Sequence, residues 1–96
     1  MMTETYEMES VLSPGKVTRV DAAKYEAMKE AYLAVLPEAP GLTDAELRER
    51  IAPILSQEYF PEGATAGWWR KGVQLDLEAK GIIGRTLKKP MRFFRL

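Results

Sequence analysis

Ninety-six residues, 46% of them apolar, can bury one core, and the absence of cysteine excludes disulfides, thiol nucleophiles and cysteine-zinc sites. The net charge is zero, but residues 63–96 carry eight Lys or Arg against Asp76 and Glu78, giving +6, whereas residues 1–62 carry six against twelve acids, giving −6. No apolar run is long enough to cross a bilayer, and the acidic start, Met1 to Glu7, is unlike a secretory signal, so a soluble cytoplasmic protein is expected, folded as one domain over residues 1–96 with 1–6 as a flexible tail.

Residues 7–20 are predicted to form a β-hairpin, because Ser13-Pro14-Gly15-Lys16 has proline and glycine at the two central positions of a type II turn. Met8, Val11, Leu12, Val17 and Val20 supply its apolar positions. Asp21 then serves as the N-cap of a first helix, in which Tyr25, Met28, Tyr32, Val35 and Leu36 recur at helical spacing until Pro37. Thr43 with Glu46 forms a capping box, and Leu42 with Leu47 a hydrophobic staple, so a second helix begins at Thr43. Its buried stripe is Leu47, Ile51, Ile54 and Leu55, with Pro53 bending or splitting it near Ala52. Residues 56–64 connect onward, pinned to the core by Tyr59 and Phe60.

The third helix is expected from Thr65, a candidate N-cap, to Gly81, spanning about 22 Å at 1.5 Å per residue. At about 100° per residue, Trp68, Gly72, Leu75 and Ala79 make one apolar stripe, and Trp69, Val73 and Leu77 a second. Burial of both would leave Arg70, Lys71, Gln74 and Glu78 outward and would push Asp76 into the apolar arc, where it needs a partner such as Lys80 or a backbone donor. Ile82–Arg85 and Met91–Leu96 favour strands around a turn at Lys88-Lys89-Pro90, with Phe93 or Phe94 closing the core. Alternation puts Arg92 with Phe94 on one face of the last strand and Phe93 with Arg95 on the other. The resulting class is α+β: three helices and a C-terminal hairpin wing, as in a winged helix-turn-helix, with an extra N-terminal hairpin.

The string Leu77-Glu78-Ala79-Lys80-Gly81-Ile82-Ile83, followed by Arg85, resembles the end of the recognition helix and the first wing strand of bacterial winged-helix domains. The wider pattern is similar to a family of short bacterial proteins known only as a domain of unknown function: Ser13-Pro14-Gly15-Lys16, Arg19-Val20, Lys24-Tyr25-Glu26-Ala27-Met28, Gly67-Trp68-Trp69 and Val73-Gln74-Leu75-Asp76-Leu77-Glu78. That resemblance implies the fold and no activity.

The charge split suits either a polyanion-binding face or two parts that complement each other internally. In the first case Arg70, Lys71 and Gln74 would enter a groove of DNA, Thr65 would touch phosphate at the helix start, and Arg85, Lys88, Lys89 and Arg92 would meet phosphates from the wing. In the alternative the domain docks a protein partner or a second copy. Without histidine or cysteine, and with no triad, metal cluster or phosphate loop, neither an enzyme nor a bound metal or cofactor is expected.

Overall fold

Lys16 N donates to Ser13 O at 3.1 Å and Gly15 takes a φ of +88°, so Pro14 and Gly15 close the first hairpin at the turn marked in the sequence. The computed structural model describes residues 4–96. In it, strands β1 (Thr5–Glu9) and β2 (Val17–Asp21) pair antiparallel, with Thr5 opposite Asp21 and Glu9 opposite Val17. β1 therefore starts two residues earlier than expected, within the stretch read as a tail, of which residues 1–3 lie outside the described residues. The register sends Met8 and Val20 into the core. Val17, opposite Glu9, belongs to the other face and is exposed, as are Val11 and Leu12 in the loop.

Helix α1 (Ala22–Val35) is capped by the Asp21 carboxylate, which accepts from Lys24 N at 3.1 Å, and it stops before Pro37. Its Tyr25, Met28, Tyr32 and the following Leu36 are fully buried. Helix α2 (Asp44–Ile51) begins with both bonds of the capping box, Glu46 N to Thr43 Oγ1 at 3.2 Å and Thr43 N to Glu46 Oε1 at 2.9 Å. At Pro53 the chain tightens into a 3-10 turn over Ala52–Ile54. That change of winding keeps Leu47, Ile51 and Leu55 in the core but turns Ile54 outward, against the expected stripe. A second 3-10 turn, Pro61–Gly63, leads to helix α3 (Ala66–Ala79), with Phe60 buried and Tyr59 half-buried beside it.

Gly81, at φ +72°, ends α3 as expected and feeds β3 (Ile83–Arg85), which pairs antiparallel with β4 (Phe93–Arg95). Phe93 closes the core. The segment between α1 and α2 also pairs with β4: Leu42 and Phe93 exchange backbone hydrogen bonds of 2.9 and 2.8 Å, and Arg95 N donates to Pro37 O at 2.9 Å. Gly41 permits this approach, because its φ is +81° and a Cβ there would stand 2.0 Å from Phe93 O. The architecture is α+β, three helices with two small antiparallel hairpins. α1 packs on both α2 and α3, and the first hairpin lies against α1 and α3. Among the described residues no helix is long and apolar enough to cross a membrane.

Candidate functional site

The two apolar stripes of α3 are not equivalent. Trp69, Val73 and Leu77 are buried, together with Gln74 and Asp76, on the part of the helix that packs against α1, β1 and β3. Gln74 is consequently 1% exposed rather than outward, its amide donating to Glu78 Oε1 at 2.9 Å. On the opposite side the expected burial of Trp68, Gly72, Leu75 and Ala79 is only partial: Gly72 and Leu75 are half-covered by the first hairpin, Ala79 is exposed, and Trp68 is 55% exposed. The helix is thus rotated about its axis relative to the expectation, so one indole is outside and the glutamine is inside.

The eight residues proposed from sequence divide in two. Arg70 lies along α2 and donates to Asp44 at 3.2 and 3.4 Å, with 13% of its side chain exposed. Arg85 binds Glu78 through two hydrogen bonds, at 2.6 and 2.7 Å, and sits 5.5 Å from the Phe93 ring centre. Arg92 donates to Gly41 O at 3.3 Å and Glu46 Oε1 at 3.4 Å. With Gln74, these three are held by the protein's own groups. Lys71 on α3 and Lys88 and Lys89 at the tip of the second hairpin are exposed and make no ion pair among the described residues. Thr65 is exposed as well, in a left-handed conformation at φ +59°; it occupies the N-cap position, but its hydroxyl donates to Ala64 O at 2.6 Å instead of capping the helix.

Between the turn of the first hairpin and α3 lies a half-open cleft of ≈260 Å³, floored by Met8 and Gly72 and edged by Trp68, Lys71, Ser13 and Lys16. The cleft has no signature in the sequence, because its two sides lie fifty or more residues apart and the helical spacing places Trp68 in the core. The exposed indole has no signal in the helical spacing that separates it from Trp69. Among the described residues no group of three or more acidic side chains is placed to hold a metal ion.

A family model for proteins of unknown function matches residues 5–93, from the first strand to the last. The chain belongs to the family of unknown function DUF6958. No curated protein and no solved structure matches it.

The span that matches DUF6958 contains a polar centre buried under the first hairpin. The Asp76 carboxylate, fully buried, accepts from Tyr6 OH at 2.9 Å, from Glu9 N at 2.8 Å, and from Tyr25 OH and Lys80 Nζ. Burial alone would raise the Asp76 pKa, but the bonds from Glu9 N, Lys80 and the two tyrosines outweigh it and hold the carboxyl below its ordinary value. Tyr25 is pushed upward by burial and by its bond to that carboxylate. Lys80, although burial opposes its charge, is raised by Asp76 and Tyr6. Tyr6 and Tyr25 stack with ring centres 3.9 Å apart, so the centre is closed on its apolar side too. Every acceptor and donor here is engaged in joining β1, α1 and α3. The sequence expectation that Asp76 would find Lys80 or a backbone donor is met by both.

Proposed function

We propose that the chain is a non-enzymatic winged-helix binding module that holds duplex nucleic acid by its phosphates. The winged-helix reading is supported by the order α1, a β-bridge from Leu42 to Phe93 of β4, α2, α3 and a terminal hairpin. The observation that carries the partner is that, of the cations on the third helix and the second hairpin, Lys71, Lys88 and Lys89 are exposed and unpaired among the described residues. A helix and a hairpin tip that both offer ammonium groups match the elements that contact the backbone in this fold class. Thr65, at the start of α3, adds a hydroxyl.

The same geometry argues against base readout. Paired hydrogen bonds to guanine or adenine require free guanidinium or carboxamide groups, and Arg70, Gln74, Arg85 and Arg92 are all committed to internal partners. Binding is therefore indifferent to sequence. Three lysines on three phosphates imply that log affinity falls with log salt at a slope of about −2.7. Titrating a random-sequence duplex across a salt series measures that slope, and the Lys88→Ala/Lys89→Ala pair should reduce it to about −0.9. Absence of any duplex binding at low salt would sink the reading.

A second reading, self-association, is favoured by the apolar edge of the second hairpin, where Leu87 is 98% exposed and Met91 and Leu96 are also exposed. Light scattering at increasing concentration tests it, since a dimer through this edge is lost in Leu87→Ser.

A further inference from the structure

The cleft between the first hairpin and α3 carries a chemistry that duplex binding does not use. Its floor is the Met8 thioether laid over Gly72, where an added Cβ would stand 2.7 Å from Met8 Cε. One wall is the Trp68 indole, 55% exposed, which meets Trp69 with ring centres 5.1 Å apart and planes at 80° and so is not stacked against it. Lys16 approaches from the hairpin turn and Lys71 from the helix, and neither has an ion-pair partner among the described residues. Glu9, the carboxylate lining the cleft, lies 3.5 Å from Lys80, the ammonium that also binds Asp76. The cleft is therefore apolar and flat-walled at its centre and positive on two rims.

We infer that this cleft seats one unpaired nucleotide of a single-stranded nucleic acid, with the base on the Trp68 indole and the neighbouring phosphates on Lys16 and Lys71. An aromatic face between cations is the arrangement by which bases stack without sequence preference while the backbone is held electrostatically. The volume of ≈260 Å³ accommodates a single base, and the open side lets the strand enter and leave. The Ser13 hydroxyl at the rim offers a hydrogen bond to sugar or phosphate oxygen. An acidic peptide would answer the two lysines but leave the indole face without a flat partner. The inference shares Lys71 with the duplex reading and otherwise stands on different residues.

The test is a fluorescence titration of the full chain with a ten-nucleotide oligo(dT), at about 20 mM salt, where screening is weak. Stacking should quench tryptophan emission, and Trp68→Phe should remove that change, leaving buried Trp69 as the unresponsive reference. Trp68→Ala, at an exposed position, should melt with the wild type and bind the oligonucleotide roughly 5- to 150-fold more weakly. Lys16→Ala/Lys71→Ala should make the salt slope shallower by about 1.4. Lys88→Ala/Lys89→Ala should leave oligo(dT) binding intact while weakening the duplex. No quenching by oligo(dT), equal quenching by polyglutamate, or undiminished binding by Trp68→Ala each overturns the inference. Duplex binding without oligo(dT) binding removes this inference alone, and the converse removes the duplex reading alone.

Discussion

Two buried tyrosines on one helix face make opposite forecasts. Tyr25 donates a hydrogen bond to the Asp76 carboxylate, whereas the Tyr32 hydroxyl, equally buried, has no hydrogen-bond partner among the described residues. Removing a bond to a charged group costs about 1.5–3 kcal/mol, while removing an unsatisfied buried hydroxyl relieves a desolvation cost. We expect Tyr25→Phe to be destabilising by that amount and Tyr32→Phe to be neutral or stabilising by up to about 1 kcal/mol, both read from urea midpoints at constant slope. Asp76 itself sets an acid limit. Its folded pKa lies below the unfolded value of about 3.9, so below that pH the unfolded chain binds the extra proton first and stability rises with pH through the window. The contribution is complete above about pH 4 to 5 and is lost as pH falls through the depressed folded value. Unfolding of wild type and Asp76→Asn at pH 7 and pH 3 checks this: the variant should be weaker at pH 7 and should change less between the two. That Asp76 needed a partner was legible from its projection into an apolar arc, and so was Lys80, one turn away. Tyr6, Tyr25 and Glu9 N were not, because they arrive from elements 51 to 70 residues distant and nothing in local spacing encodes that meeting.

Elements with a local signature were the legible ones. The Thr43 capping box, the Asp21 cap, the turn at Pro14-Gly15 and the stop at Gly81 each depend on residues within a few positions of one another, and each forms as read. The strand pairing between α1 and α2 was invisible, since a bridge at one or two residues has no periodicity. Only Gly41 hints at it. Its left-handed φ and the absence of room for a Cβ next to Phe93 O make Gly41→Ala a test of that pairing. A cost of roughly 3 kcal/mol is expected from backbone strain together with the two lost Leu42–Phe93 bonds. For a domain of this size that lowers the melting temperature by more than 10 °C, about 4–8 °C per kcal/mol. An exposed glycine such as Gly67, with no atoms within 4 Å of an added Cβ, is the control that should not fall. The rotation of α3 was unreadable for another reason. Two apolar stripes side by side fix a wide arc but not its centre, and the centre is chosen by what docks: Arg85 of the second hairpin meets Glu78 beside Gln74, and Met8 of the first hairpin meets Gly72 beside Trp68.

Across the whole molecule half of the charge split is taken up by ion pairs within the fold. Arg70–Asp44, Arg92–Glu46 and Lys80–Glu9 each join the basic third to the acidic remainder, and Arg85 is absorbed by Glu78 within the basic third. Internal complementarity, one of the two readings that composition left open, thus takes up three charges on each side; Arg95 of the basic third donates to Leu33 O, and Lys71, Lys88 and Lys89 stay exposed without an ion pair among the described residues. This division makes a prediction that separates structural cations from binding ones. Arg70 and Arg92 pair with partly exposed carboxylates, so each pair contributes only about 0.2–1 kcal/mol. Arg70→Ala/Arg92→Ala should therefore melt a few degrees lower, and its deficit should shrink in high salt as the pairs are screened in wild type. If those arginines are internal, the same variant keeps the salt slope of duplex binding, because no phosphate contact is removed. Lys71→Ala with Lys88→Ala and Lys89→Ala should show the reverse, an unchanged melting temperature and a slope reduced toward zero. A variant pair that moved stability and binding together would mean that the ion pairs open when the partner arrives, and that the arginines, not the lysines, meet it.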